Sequence, residues 1–206
     1  GMSPEQFEHE LLKTLHNHTV PVREILVRQP HFDERALKVW LALNLDTHSI
    51  IVLCAERLKL GAKPVHTYLE LLEHCLTTRS DYELFEQLAL PQLLNEMSLA
   101  EDKVLERMAM LVRHSTKSKS IQGKYTLLQK FLSRFIETCE PKELVAALMY
   151  GLCGLTYENP EAQQQVLEKE YIAHLIALAQ SNINHPEVVS SAMELTANLA
   201  MNPKNV

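Results

Sequence analysis

The amino-acid sequence predicts an all-α protein built from stacked helical repeats. Apolar residues recur at the three- and four-residue spacing of helices along most of the chain. Two segments in the last third match each other after a shift of 44 positions. Glycine is scarce, with 5 in 206 residues, and no segment alternates apolar and polar residues around Asn-Gly or Asp-Gly turns. We therefore expect helices throughout the chain and no β-sheet.

Helix-start signals follow one another regularly through the first two thirds of the chain. Gly61 is placed to end a helix, and residues 115–120 form a polar loop before the apolar segment YTLLQKFLSRFIETC. Helix starts are expected at Ser3 (with Gln6 completing a capping box), Asp33, Asp46 or Thr47, Pro64, Ser80 or Asp81, Ser98 and Pro141.

The matching segments lie after Pro141. The segment from Glu143, ELVAALMYGLCGLTYENPE, aligns with the segment from Glu187, EVVSSAMELTANLAMNPKN. Each ends in an Asn-Pro dipeptide, Asn159-Pro160 and Asn202-Pro203. Helical units that recur every 40–47 residues or so are typical of right-handed α-solenoids. We therefore expect such a solenoid.

The unit between the two copies predicts three helices of increasing length. Asn159 can cap a short helix whose first residue is Pro160. A second, more apolar helix covers residues 171–179. Pro186 begins a long third helix, which carries Val188, Val189, Ala192, Leu195 and Leu199 on one face.

The end of that third helix carries a family resemblance. Its sequence, ELTANLA over residues 194–200, resembles the Leu-x-x-Leu-x-Asn-Leu-Ala pattern of armadillo repeats. The chain is therefore similar to the armadillo/HEAT family, most clearly over residues 141–206. The resemblance implies a groove lined by the third helices, in which Asn198 would hold the backbone of a bound peptide. The corresponding residue 44 positions earlier is Gly154, and the Trp that import-receptor repeats pair with this Asn is absent. A capping or packing role for Asn198 is the alternative.

Charge is distributed unevenly along the chain. The net charge is −6, yet the window 103–136 contains eight basic residues and a single acid, Glu106. We interpret the window as a basic docking patch for an acidic or phosphorylated peptide or a protein. A solvated face without a partner is the alternative, and the acidic balance of the whole chain disfavours nucleic acid. The predicted partner-binding residues are Lys103, Arg107, Arg113, Lys117, Lys119, Lys124, Lys130, Arg134 and Asn198.

Motifs for catalysis or metal binding are absent from the sequence. The triplet His16-Asn17-His18 and the neighbours His74-Cys75 lack the context that a metal site needs. We expect no enzyme activity, no cofactor and no metal. The four cysteines lie in apolar stretches without a Cys-x-x-Cys pair, which indicates a reducing, intracellular location in the cytoplasm or nucleus. No apolar stretch is long enough to cross a bilayer, so no membrane partner is expected.

No low-complexity linker divides the chain, so residues 1–206 are interpreted as a single armadillo-like domain. Its end at the position where another repeat would begin indicates a fragment of a longer solenoid, and Gly1 before Met2 indicates a residue left by tag cleavage. We therefore predict a non-catalytic protein-interaction scaffold. The alternative is a structural segment that self-associates through its open end, with nucleic-acid binding as a weaker third hypothesis.

Overall fold

The computed structural model describes residues 46–205 together with Gly1, Ser3, Glu5, Gln6, His9 and Glu10. This part of the chain contains α-helices and no β-strand, which confirms the all-α prediction. The helices predicted before residue 46 and the triplet His16-Asn17-His18 lie outside the described residues. The described helices are α1 (Thr47–Lys59), α2 (Val65–Cys75), α3 (Arg79–Gln87), α4 (Leu90–Asn95), α5 (Asp102–Ser115), α6 (Lys119–Gln122), α7 (Leu128–Glu137), α8 (Lys142–Thr156), α9 (Pro160–Val166), α10 (Lys169–Ser181) and α11 (Pro186–Ala200).

The predicted helix ends are reproduced closely at the capping residues. Ser3 and Gln6 exchange the two hydrogen bonds of a capping box, at 3.0 and 3.2 Å. The Asp46 carboxylate accepts from the backbone N–H of His48 at the start of α1, and Gly61 follows α1 with φ +67°. The Asn159 side chain accepts from the N–H of Ala162 at 3.2 Å. These four helix ends therefore form where the sequence places them, whereas the helix expected from Ser80 or Asp81 begins at Arg79.

The structure differs from the predicted elements at two loops. Helix α5 begins at Asp102 rather than near Ser98. The segment 115–120 is more ordered than a polar loop: Ser115 is buried against Tyr125, with a 2.6 Å hydrogen bond between the hydroxyls, and Ser118 caps the short helix α6. Cys139 lies beyond the end of α7 and is exposed, whereas it was expected inside an apolar helix.

The chain divides into two compact units, Gly1–Leu84 and Phe85–Val206. In the described part of the first unit, α1 packs against α2 and buries Ile51, Leu53, Leu69 and Leu72. This apolar contact holds the helix pair together, because each helix buries one continuous face.

The second unit is organised around α8. This helix packs against α5 on one side and α11 on the other, and all of its residues except Lys142, Glu143 and Tyr150 are buried. The three long helices therefore lie side by side. Their C-terminal turns lie at the same end of the unit, because Gly154 of α8 approaches Arg113 of α5.

Close packing between α5 and α8 depends on two glycines. A Cβ on Gly151 would lie 3.0 Å from the Cβ of Ala109, and a Cβ on Gly154 would lie 2.9 Å from the Cα of Arg113. A Cβ 2.9 Å from backbone is not tolerated, so Gly154 requires glycine for this helix spacing, whereas a methyl group at Gly151 would require its neighbours to shift. The two glycines therefore mark a close approach of α5 and α8.

Candidate functional site

Polar and aromatic side chains of the three long helices meet on the surface of the second unit. At 100° per residue, Lys103, Arg107 and Arg113 of α5 lie within about 120° of arc. Lys117 follows in the turn after α5, and Lys103 and Lys117 are exposed. We call these four residues the basic stripe. Of the four, Arg113 contacts Tyr150, the half-buried aromatic residue of α8.

Arg113 connects all three long helices. Its guanidinium carbon lies 3.8 Å from the ring centroid of Tyr150, and its Nη2 donates to Glu194 Oε2 of α11 at 2.9 Å. The side chains of Arg113 and Glu194 are 38 % and 41 % exposed, so each interaction contributes no more than about 1 kcal/mol. The contacts therefore fix the position of the Tyr150 ring more than they stabilise the fold.

Two lysines of the predicted patch form hydrogen bonds and ion pairs at the ends of the helical units. Lys119 Nζ donates to the carbonyl oxygen of Tyr157 at 2.8 Å and lies 3.4 Å from Glu158. Lys124 Nζ lies 2.5 Å from Glu86 Oε2, which also accepts from the hydroxyl of Ser120. These hydrogen bonds lower the pKa of Glu86. Both lysines therefore join segments that are 38 residues apart in the chain.

Lys130 and Arg134 of α7 also donate hydrogen bonds to distant segments of the chain. Lys130 donates to the carbonyl oxygen of Asn95. Arg134 donates to the carbonyl oxygens of Leu99 and Ala100, at 2.7 and 3.1 Å, and to Asp102 Oδ1 at 2.6 Å. We call Lys119, Lys124, Lys130 and Arg134 the tether cations, because each bonds a neighbouring helical unit.

The window of eight cations therefore separates into two groups with different surroundings. The tether cations bond carbonyl oxygens and carboxylates of the same unit. The basic stripe lies along α5 and the turn after it, and its Arg113 bonds Glu194 and contacts the ring of Tyr150. The sequence showed that Lys103 and Arg107, and also Lys130 and Arg134, share helix faces. It had no signal for the carbonyl oxygens that lie opposite Lys130 and Arg134.

Asn198 takes part in packing between α8 and α11. Its side chain is 8 % exposed, and its Nδ2 donates to the carbonyl oxygen of Cys153 at 3.1 Å. This bond uses one of the two N–H donors of the amide and joins α11 to α8.

One constellation in the first unit brings together the residue types of a hydrolytic triad. His48 Nε2 lies 3.0 Å from Ser80 Oγ and 3.3 Å from Asp81 Oδ1. A triad needs the serine and the aspartate on opposite ring nitrogens, and here both contact the same one. The group therefore lacks the geometry for proton relay from Ser80.

Asp81 has a structural role instead. It is fully buried and accepts hydrogen bonds from the hydroxyls of Thr47, Thr77 and Thr78 and from the N–H groups of Thr77 and Thr78. Burial by itself would raise the pKa of this carboxyl, but the donors hold it at about 2. Together with Thr78, the residue caps α3.

The buried thiols of Cys54, Cys75 and Cys153 are poorly suited to nucleophilic chemistry. Burial raises the pKa of Cys75 to about 12, and it also raises the pKa of Cys54 and Cys153. Among the described residues, no group of three or more His, Cys, Asp or Glu side chains is arranged to hold a metal ion. Nor does any described helix combine the length and apolar character needed to span a bilayer.

No protein-family model matches this chain, and neither a curated protein nor a solved structure shows significant similarity to it. The armadillo resemblance therefore depends on the residues and the helix arrangement of this chain alone.

Proposed function

We propose that the chain is a non-catalytic interaction scaffold of the armadillo type, in which α5, α8 and α11 are the third helices of successive repeats in a right-handed solenoid. Two sets of helices support this assignment. The helices α6, α7 and α8 have 4, 10 and 15 residues, and α9, α10 and α11 have 7, 13 and 15 residues. Each set therefore has the short, medium and long order of an armadillo unit.

Matching hydrogen bonds support the same repeat. Thr138 Oγ1 donates to the carbonyl oxygen of Arg134, and Asn182 Nδ2 donates to that of Leu178. Both donors and both acceptors are related by a shift of 44 residues, the spacing of the sequence near-repeat. The two units therefore end their second helices with equivalent contacts.

The partner that fits this scaffold best is an acidic or phosphorylated segment of another protein, bound along the basic stripe. The observation that carries the proposal is the contact between Arg113 of the stripe and the ring of Tyr150. Positive charge would orient an acidic chain, and the ring would contact its apolar side chains. Nucleic acid fits less well, because the whole chain carries −6. The free, buried thiols of Cys54, Cys75 and Cys153 favour a reducing location, in the cytoplasm or nucleus.

Binding of a fluorescent oligo-glutamate peptide would test this proposal. We expect anisotropy titrations to show binding that weakens with salt, because exposed charge pairs are screened. The triple variant Lys103→Glu, Arg107→Glu, Lys117→Glu should reduce the association rate constant by about tenfold or more, since charge complementarity acts mainly on the rate of encounter.

A matched control is the double variant Lys169→Glu, Lys204→Glu, which reverses two exposed lysines outside the stripe. This control should bind like the wild type. Equal losses in both variants would show a non-specific charge effect and would contradict a site on α5. Binding of single-stranded DNA in preference to the peptide would support the nucleic-acid alternative.

A further inference from the structure

Arg113 of the basic stripe has an acidic partner within the chain itself. Its Nη2 donates to Glu194 Oε2 at 2.9 Å, and the two side chains are 38 % and 41 % exposed. Glu194 therefore stands on the surface where an acidic ligand of the stripe would bind. Its carboxylate and a glutamate carboxylate of such a ligand offer the same acceptor to the guanidinium. The two groups would thus compete for Arg113.

The contacts of Arg113 allow one carboxylate to replace another. Among the described residues, one hydrogen bond joins the guanidinium to Glu194, whereas a bidentate pair would use two N–H groups and would be stronger. The ring of Tyr150 lies 3.8 Å from the guanidinium carbon and supports it from α8. Since Glu194 is partly exposed, its carboxylate can turn toward water at little cost. A ligand carboxylate could therefore take its place while the contact with Tyr150 is kept.

The two residues that Arg113 contacts occupy equivalent positions in the repeat. A shift of 44 residues relates Tyr150 of α8 to Glu194 of α11. Helix α8 packs against both α5 and α11, so these positions follow one another across the second unit. An acidic segment that extended from the stripe past Tyr150 would next reach the carboxylate of Glu194, which repels it.

We propose that Glu194 is an internal competitor of the acidic ligand. Its carboxylate pairs with Arg113 in the free protein and is displaced when the ligand binds. This inference rests on the proposed function, because it needs an acidic ligand at the stripe. When the state that can bind is a fraction of the population, the measured affinity is lowered by that fraction. Glu194 thereby holds the affinity of the site below the value that the cations alone would give.

The variant Glu194→Gln tests this role, because it removes the charge and keeps the length of the side chain. In anisotropy titrations at physiological ionic strength, it should lower the dissociation constant of the fluorescent oligo-glutamate peptide by about three- to fivefold. This factor is expected when a partly exposed ion pair no longer has to be broken. The circular dichroism spectrum of the variant should match that of the wild type.

Glu187→Gln is the matched control. Glu187 is an exposed acid in the first turn of α11, and its replacement removes the same charge. Glu187 lies two turns before Glu194, about 10 Å along the helix axis, which exceeds the screening length of about 8 Å at this ionic strength. This variant should change the dissociation constant by less than about 1.5-fold. An equal gain in both variants would show a general charge effect and would overturn the proposal.

A double-mutant cycle with Arg113→Met locates the competition. Arg113→Met should weaken peptide binding, because it removes a cation of the stripe. Adding Glu194→Gln to this variant should give no further change, since the competitor then has no guanidinium to occupy. A gain of three- to fivefold or so that persists without Arg113 would overturn the proposal.

The outcomes separate this inference from the proposed function. Wild-type protein that binds the peptide with the same affinity as Glu194→Gln would overturn the inference and leave the proposed function in place. Failure of both proteins to bind would contradict the proposed function and the inference together. Binding by Glu194→Gln alone would support both, with a stronger competitor than the partly exposed pair indicates.

Discussion

At the scale of single residues, buried polar groups determine the local geometry. Asp81 shows this most clearly, because a fully buried carboxylate would destabilise the fold unless hydrogen-bond donors surrounded it. Three threonine hydroxyls and two backbone N–H groups satisfy its oxygens. A single side chain thus joins the start of α1 to the start of α3.

Acid should therefore unfold this protein partly through Asp81. Its pKa is about 2 in the folded chain and 3.8 in a free side chain. The stabilisation is fully present above about pH 4 and is lost as the pH falls towards 2, because the unfolded chain takes up the proton first. Asp81→Asn should reduce the free energy of unfolding at neutral pH by about 2 kcal/mol. It should also flatten the dependence on pH in this range, as measured by urea denaturation.

Glu83→Gln is the control for that experiment. Glu83 lies on the same helix, and its side chain is 54 % exposed in a pair with Arg79. Its replacement should change stability by less than about 0.5 kcal/mol. An Asp81→Asn variant as stable as Glu83→Gln would contradict the role assigned to the buried carboxylate.

Gly154 gives a second prediction at the residue scale. Alanine at this position would place a Cβ against Thr116 Oγ1 and 2.9 Å from the Cα of Arg113. We expect Gly154→Ala to lower the free energy of unfolding by about 1–3 kcal/mol, since backbone must move to admit the methyl group. Gly123→Ala should be nearly neutral, because its nearest contacts are at 3.6 and 3.7 Å. Equal melting temperatures for the two variants would show that the helix spacing is not limited by Gly154.

At the scale of elements, the connection before α5 depends on a tether from α7. Arg134 donates hydrogen bonds to three acceptors there, the carbonyl oxygens of Leu99 and Ala100 and the carboxylate of Asp102. A neutral side chain at position 134 would leave these acceptors hydrogen-bonded to water or without a partner. Arg134 therefore fixes the position of the connection before α5, although the sequence pattern had assigned this residue to a docking patch.

Arg134→Met should accordingly destabilise the protein by about 1–2 kcal/mol, because it removes hydrogen bonds that a charged side chain donates. Lys117→Met, at an exposed cation of the basic stripe, should change stability by less than about 0.5 kcal/mol. Chemical denaturation of both variants measures the difference. A neutral result for Arg134→Met would mean that this tether contributes no stability.

At the scale of the whole molecule, the two compact units differ in the structural features that their described residues form. The described part of the first unit has an apolar helix pair and a buried polar network around Asp81. The second unit carries the long helices and the basic stripe.

The sequence by itself determined the helical class, the caps at Asp46, Asn159 and Gly61, and the 44-residue repeat. These features depend on neighbours within a few residues or on periodicity, so local physical chemistry is sufficient to predict them. Leu199, expected in the core, is 2 % exposed for the same reason.

Only the tertiary structure decided which groups the cations contact and which side of a helix is covered. Lys130 and Arg134 share a helix face in the sequence, and the structure shows that they contact carbonyl oxygens 34–35 residues away. Met149 and Met193 occupy equivalent positions, yet one is buried and the other is 68 % exposed. The physical reason is that burial and ion pairing depend on what lies opposite a side chain, and residues far apart in the sequence supply those groups.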